Sequence, residues 1–287
     1  MTEAWEIDFY SRPILDEQGK KLWEVLVCNG SRTFEFARFC AGAEANARWL
    51  QDTLSEAIAA WQARFDLAST AKPEKIRFFR RPMTAILTRA CTALEIPAQQ
   101  SRRTFALVQW LQERSQMVYP KHPGFQPLMP PPPTFEPMVA QQLPDALRGE
   151  GWSFVSLSLE DLTAINEWDI PFRESIPLEL LALPSDTIIP GLVILSRRAV
   201  PLAGWMSGLE VATLSVASEP LPRLLLETGL SDRWILAPLN TEALRAEAAY
   251  FDQAKQSTRN VHFLAIQSDA KDQSFAGFWL LQTLDLA

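Results

Sequence analysis

Residues 75–82 read KIRFFRRP, two phenylalanines set among four cations and closed by a proline. Arginines beside aromatic rings suit a single-stranded RNA surface, because guanidinium groups take phosphates while rings stack on bases. The same mixture suits an ordinary strand end. In a strand, alternation puts Ile76, Phe78 and Arg80 on one face and Arg77, Phe79 and Arg81 on the other. Two rings on opposite faces cannot form one open stacking platform, so at least one belongs to the core. Ligand contacts narrow to the arginines at the C-terminal end, where Pro82 stops the ladder.

The segments before it decide what kind of strand this is. WEIDFYSRP, KLWEVLVCNG and TFEFARFC read as three strands, with EQGK at 17–20 and NGS at 29–31 as turns. A helix is expected over 44–65, with Leu50, Leu54, Ile58, Trp61 and Phe65 on one stripe. KIRFFR is then a fourth strand. Helices over 84–94 and 101–115 follow, with Ser101 and Thr104 as N-cap candidates. Later in the chain GWSFVSLSL reads as a strand, EDLTAINEW as a short helix, and DTIIPGLVILSRRA, VPLAGWMSG and EVATLSVAS as three more strands. LPRLLLETG, RWILAPL, a helix over 241–256, VHFLAIQ and FAGFWLLQTL complete it. The expected class is α/β, mixed sheets flanked by helices, with a ribonuclease H-like layout suiting each half.

Between the halves lies YPKHPGFQPLMPPPPTFEP, residues 119–137, and nine of the 21 prolines fall from Pro120 to Pro144. Proline lacks the N–H that ladders need, and Pro130–Pro133 favours an extended polyproline path. Residues 119–147 therefore read as a semi-rigid linker joining domains over 1–118 and 148–287. A docking site for a PxxP-reading module is the other reading.

A chain of 287 residues, 47% hydrophobic and 21% charged, has the profile of a soluble globular protein, and no apolar run approaches a membrane span. MTEAWEIDFYSRP enters patterned sequence at once, without a visible signal or transit peptide. Cys28, Cys40, Cys91, His122 and His262 are scattered without ligand spacing, which points to buried thiols in a reducing compartment and to no metal or cofactor. The net charge of −7 is unevenly spread: residues 77–103 hold six arginines against one glutamate, Glu95. Residues 120–287 hold 11 Lys+Arg against 20 Asp+Glu. Local potential decides where a polyanion lands, so an acidic total does not exclude a basic patch.

A ribonuclease H-like nuclease needs converging carboxylates to hold divalent metal. Asp8 on the first strand and Glu44 or Glu56 on the long helix are available, but the fourth strand offers only basic side chains. Asp8 reads instead as a paired carboxylate with an arginine as partner. With no G-x-G-x-x-G, P-loop, H-E-x-x-H or G-x-S-x-G and two histidines in all, the expectation is a protein that is not an enzyme. SRRTFALVQW at 101–110 and SRRAVPLAGW at 196–205 share S-R-R-x-x-x-L-x-x-W, by chance or duplication. The first suits a helix; Pro201 and Gly204 make the second suit strand-turn-strand. Arginine pairs recur beside apolar anchors, and each could fork onto phosphates. Arg77, Arg80, Arg81, Arg102, Arg103, Arg197 and Arg198 are the RNA-binding candidates. Trp279, Leu280 and Leu281 sit in GFWLL, apolar on both faces, as core or partner contact.

WEIDFYSRPILDEQGKKLWEVLVC, KIRFFRRPM, IPAQQSRRTFALVQWLQERSQMVYPKHPGF, SRRAVPLAGWMSGLE, LLLETGLSDRWILAPL and the closing VHFLAIQS and SFAGFWLLQ together resemble the Tab (Atab) family of chloroplast and cyanobacterial RNA-binding translation factors. The resemblance runs from Trp5 to Gln282, and the family's W-L-L falls on Trp279, Leu280 and Leu281. It implies a translation factor for photosystem I reaction-centre mRNA, binding a 5′ untranslated region beside other proteins of a translation or photosystem assembly complex. It also implies a cytoplasmic protein of cyanobacterial type, with plant and algal relatives in the stroma. A scaffold that meets RNA only through partners is the alternative.

Overall fold

The computed structural model describes residues 3–127, 138–219, 221–271 and 274–284. The chain forms two compact units that divide between Thr134 and Phe135. The architecture is mixed α/β in both.

The first unit is one sheet, β1 (Ala4–Leu15), β2 (Lys21–Asn29), β3 (Glu35–Ala41), β4 (Lys75–Phe78) and β5 (Ala98–Gln100). Their order is β3-β2-β1-β4-β5; β2 runs antiparallel to β1 and β3, while β1, β4 and β5 are parallel. Between β3 and β4 the chain crosses over as α1 (Ala47–Arg64), whose N-cap Asn46 accepts from the N–H groups of Arg48 and Trp49. Its buried stripe, Leu50, Leu54, Ile58 and Trp61, meets Trp5, Ile7 and Phe9 of β1. From α2 (Thr84–Ala93), Leu87, Ala90 and Cys91 join the same core. Those β1 residues are the odd ones, as strand alternation requires. The even ones, Glu6, Asp8 and Arg12, are buried too, on the opposite face beneath α3 (Phe105–Met117). Strand β5 escapes the sequence reading because it is three polar-leaning residues at a sheet edge. The interdomain segment expected to begin at 119 packs onto this unit over its first residues: Tyr119 is buried, Leu15 donates to the Gly124 carbonyl and Gln126 to that of Pro13. The run Pro130–Pro133 lies outside the described residues.

The second unit holds two sheets. One orders β7 (Gly151–Ser158), β9 (Ile188–Leu195), β13 (Val261–Gln267), β14 (Gly277–Gln282) and β8 (Phe172–Glu174) as β7-β9-β13-β14-β8. The other orders β10 (Val211–Ala217), β11 (Arg223–Thr228), β12 (Asp232–Pro238) and β6 (Gln141–Gln142) as β10-β11-β12-β6. Helices α4 (Leu159–Thr163), α5 (Ala199–Ser207) and α6 (Glu242–Ser257) intervene. The element order of this unit differs from the first unit's three strands, helix and strand. One correction is local: VPLAGWMSG is helix α5, not a strand. Pro201 is its third residue, where the N–H has no intrahelical partner to lose, and the first helical bond is made by Leu202 to the Arg198 carbonyl. Gly204 lets the Phe172 ring approach α5 closely. Trp279 and Leu281 lie in the core of this unit, and Leu280 is fully buried, which makes all three core residues and removes them as partner contacts.

Candidate nucleic-acid interface

In the first unit the chain leaves β1 toward β2 on one side of the sheet and reaches β4 through α1 on the other. The boundary between β1 and β4 is thus a topological switch point, the place where open α/β sheets present ligand sites beyond the strands' C-terminal ends. KIRFFRRP ends at this boundary. Ile76 and Phe78 enter the α1–α2 core, Phe79 is also buried, and both rings are thereby lost as base platforms.

Arg80 follows the strand and turns inward. Its Nε donates to Oδ1 of Asp8 at 2.5 Å, and its guanidinium lies 4.4 Å from the Tyr10 ring centroid and 4.8 Å from that of Phe79. Arg12 takes the other oxygen, Nη1 to Oδ2 at 2.7 Å, and its Nε donates to Glu24 at 2.9 Å. Glu24 also accepts from the Tyr119 hydroxyl at 2.7 Å and from Arg114 of α3. Burial pushes the Asp8 carboxyl up, but the guanidinium groups of Arg80 and Arg12 outweigh it and hold the group below the usual range. Both Asp8 oxygens are thus committed to arginine, as a paired carboxylate rather than a metal ligand. Beside this chain, Glu6 accepts from the Leu107 N–H at the start of α3, at 2.7 Å, with Arg77 and Arg103 near. Burial raises its carboxyl to about 8 despite those cations.

The candidate arginines separate by exposure. Arg77, Arg80 and Arg103, named above as RNA-binding candidates, are buried, and their side chains lie in the interior layer with Glu6 and Asp8 rather than on the surface. Arg81 is exposed and Arg102 half-buried, at the ends of the neighbouring parallel strands β4 and β5. The two ends are tied together, since Ser101 donates to the Phe78 carbonyl, Gln100 to the Thr84 hydroxyl, and that hydroxyl to the Arg81 carbonyl. Arg89 on α2 is exposed as well. In the second unit Arg197 and Arg198 are exposed at the end of β9, where the Arg197 N–H donates to the Glu150 carboxylate at 2.9 Å.

Both S-R-R stretches prove to be the same local device. A serine ends a strand by pairing with the parallel neighbour, Ser101 with Phe78 and Ser196 with Gln267. Its hydroxyl accepts from the N–H two residues on, Arg103 or Arg198, and a helix begins. The chain order differs, because β4 precedes β5 whereas β13 follows β9. Sequence reasoning missed Glu6, Arg12, Glu24, Arg114 and Tyr119. The legible signal was the alternation of Glu6, Asp8 and Arg12 with Trp5, Ile7 and Phe9.

Comparison with known proteins gives a match over nearly the whole chain. Residues 4–114 match the family described as "RNA-binding protein Tab2/Atab2 N terminal" and residues 130–282 "RNA-binding protein Tab2/Atab2, C-terminal domain". A protein named "Protein TAB2 homolog, chloroplastic" from Arabidopsis thaliana is 39% identical over 286 residues, 97% of this chain and 74% of that one. Its namesake from Zea mays is 38% identical over 289 residues, covering 98% and 71%. Among solved structures, an intasome of simian T-cell lymphotropic virus with the PP2A regulatory subunit B56 gamma aligns at a TM-score of 0.24 and 14% identity, over 54% of this chain and 65% of that one, too slight to bear on the fold. No helix among the described residues is long and apolar enough to cross a membrane.

Proposed function

The chain belongs to the Tab2/Atab2 family of RNA-binding proteins, and from that premise we propose that it contacts RNA directly through the arginines beyond the C-terminal ends of β4 and β5. The observation that carries this is the exposure of Arg81 at the end of β4, beside a topological switch point, with the partly buried Arg102 on the adjoining end of β5. Arg89 extends the patch, and Arg197 and Arg198 are a second, smaller one. The buried arginines contribute at a distance. The interior layer holds Arg12, Arg77, Arg80 and Arg103, with the partly buried Arg114, against only three carboxyls, Glu6, Asp8 and Glu24. That surplus raises the potential outside without spending side chains on phosphate.

The biological role we propose is translation of a photosystem subunit mRNA, with the 5′ untranslated region as target and other proteins of a translation or assembly complex alongside. The protein acts without catalysis, in cyanobacterial cytoplasm or the equivalent stroma. RNA recovered with the chain from a photosynthetic lysate should be enriched in photosystem I reaction-centre mRNA, and Arg81→Ala with Arg102→Ala should abolish that enrichment. Recovery of bulk RNA without enrichment contradicts the target; undiminished enrichment in the double variant contradicts the site. A scaffold role has one supporting observation, the acidic excess of residues 120–287, which suits protein rather than RNA contact.

A further inference from the structure

We infer that the groove between edge strand β7 and helix α6 docks an extended, basic segment of another protein, which adds a strand to β7 and lays a Lys or Arg side chain over Tyr250 toward Glu247. Strand β7 is the outermost of its five-stranded sheet and runs eight residues, GWSFVSLS, without a charge or a proline. Proteins blunt such edges because unpaired N–H and C=O groups invite another chain. The other edges here are managed. Strand β3 carries Glu35 and Arg38, while β5, β6 and β8 are only two or three residues long. Strand β10 is capped by side chains: the Leu214 N–H donates to Nε2 of His262 at 3.0 Å, and its carbonyl accepts from Nζ of Lys255 at 2.6 Å. On β7 the exposed residues are the small Ser153 and Ser156.

Alongside it lies a cavity of about 580 Å³. Phe154 and Phe251 line it and stack at 4.9 Å. Tyr250 is 73% exposed, and Glu247 supplies the one charge among the lining residues. An aromatic wall beside a carboxylate takes an aliphatic stem with a cationic head, by ring contact and ion pairing together. The acidic excess of this half attracts such a segment, repels the RNA backbone and opposes a second copy of the same surface. Backbone pairing along an edge with a pocket for an alternate side chain is a known mode of peptide capture.

The test uses the full chain and a fluorescein-labelled octapeptide alternating Val and Lys. Controls carry Glu for Lys, or Pro for one central Val. Binding by the Lys peptide alone is expected, with slowed amide exchange confined to β7. Glu247→Lys and Tyr250→Ala, both at exposed positions, should each weaken it about fivefold. Equal binding of either control, or indifference to both variants, overturns the proposal. Displacement of the peptide from β7 by an RNA oligonucleotide would assign the groove to nucleotides instead. Dimerisation protecting β7 without peptide would assign it to a second copy.

Discussion

Arg80 and Arg81 leave β4 side by side, and the backbone sends one inward to Asp8 and the other into solvent. Substitution should separate them cleanly. Arg80→Ala leaves Asp8 and Arg12 unbalanced in a dry layer, a loss of about 3–5 kcal/mol of stability by urea unfolding, because a broken buried pair strands a charge. Arg81→Ala should cost less than about 0.5 kcal/mol, as exposed substitutions do, while lowering RNA affinity. A second single-residue outcome concerns His262. It is buried, its Nδ1–H pairs with the Asn260 carbonyl, and its Nε2 accepts from Leu214. Burial and the neighbouring Lys255 ammonium hold its pKa well below 6.5, so the folded ring stays neutral when the unfolded one charges. Unfolding free energy should therefore fall as pH drops below about 6.5, by up to about 1.4 kcal/mol per unit from this group. His262→Gln should flatten that acid limb; an unchanged limb would place the sensitivity elsewhere.

Among elements, the longer strands and the long helix were legible because their partners are local or periodic. The stripe on α1 and the alternation of β1 need no knowledge of the rest of the chain. What escaped was set by distance along the chain: Asp8 meets Arg80 across 72 residues and Glu24 meets Arg114 across 90. The pairing of Asp8 with an arginine was foreseeable from the basic fourth strand, but not which arginine. Nor could exposure be read from pairs of arginines, since a strand end turns one residue in and its neighbour out. Helix α5 was misread because Pro201 and Gly204 were weighed as interior residues, whereas one sits in the first turn and the other faces Phe172. In the adjoining sheet, Gly191 of β9 lies under the Phe263 ring, where an added Cβ would fall 2.4 Å from it. Gly191→Ala should cost about 1–3 kcal/mol through overpacking, seen as a lower thermal midpoint of the second unit. An unchanged midpoint would show that the ring moves freely.

At the scale of the molecule, one sequence carries two compact units with opposite charge bias. The first carries the exposed Arg81 and Arg89, and the second combines an acidic surplus with the edge strand β7, which holds no charge or proline. That division accounts for an acidic protein in an RNA-binding family, since a polyanion meets local potential rather than net charge. Direct RNA contact by the exposed arginines is the central claim. The most direct test is the salt dependence of binding to a single-stranded RNA, measured by fluorescence anisotropy for the native chain and for Arg81→Ala with Arg102→Ala. Each phosphate contact contributes about 0.7 to the slope of log affinity against log salt for a single strand. The double variant should bind more weakly, with a slope shallower by about 1.4, and should remain folded, as judged by a cooperative denaturant transition. Native and variant chains giving the same slope, or no salt-sensitive binding by either, would contradict it.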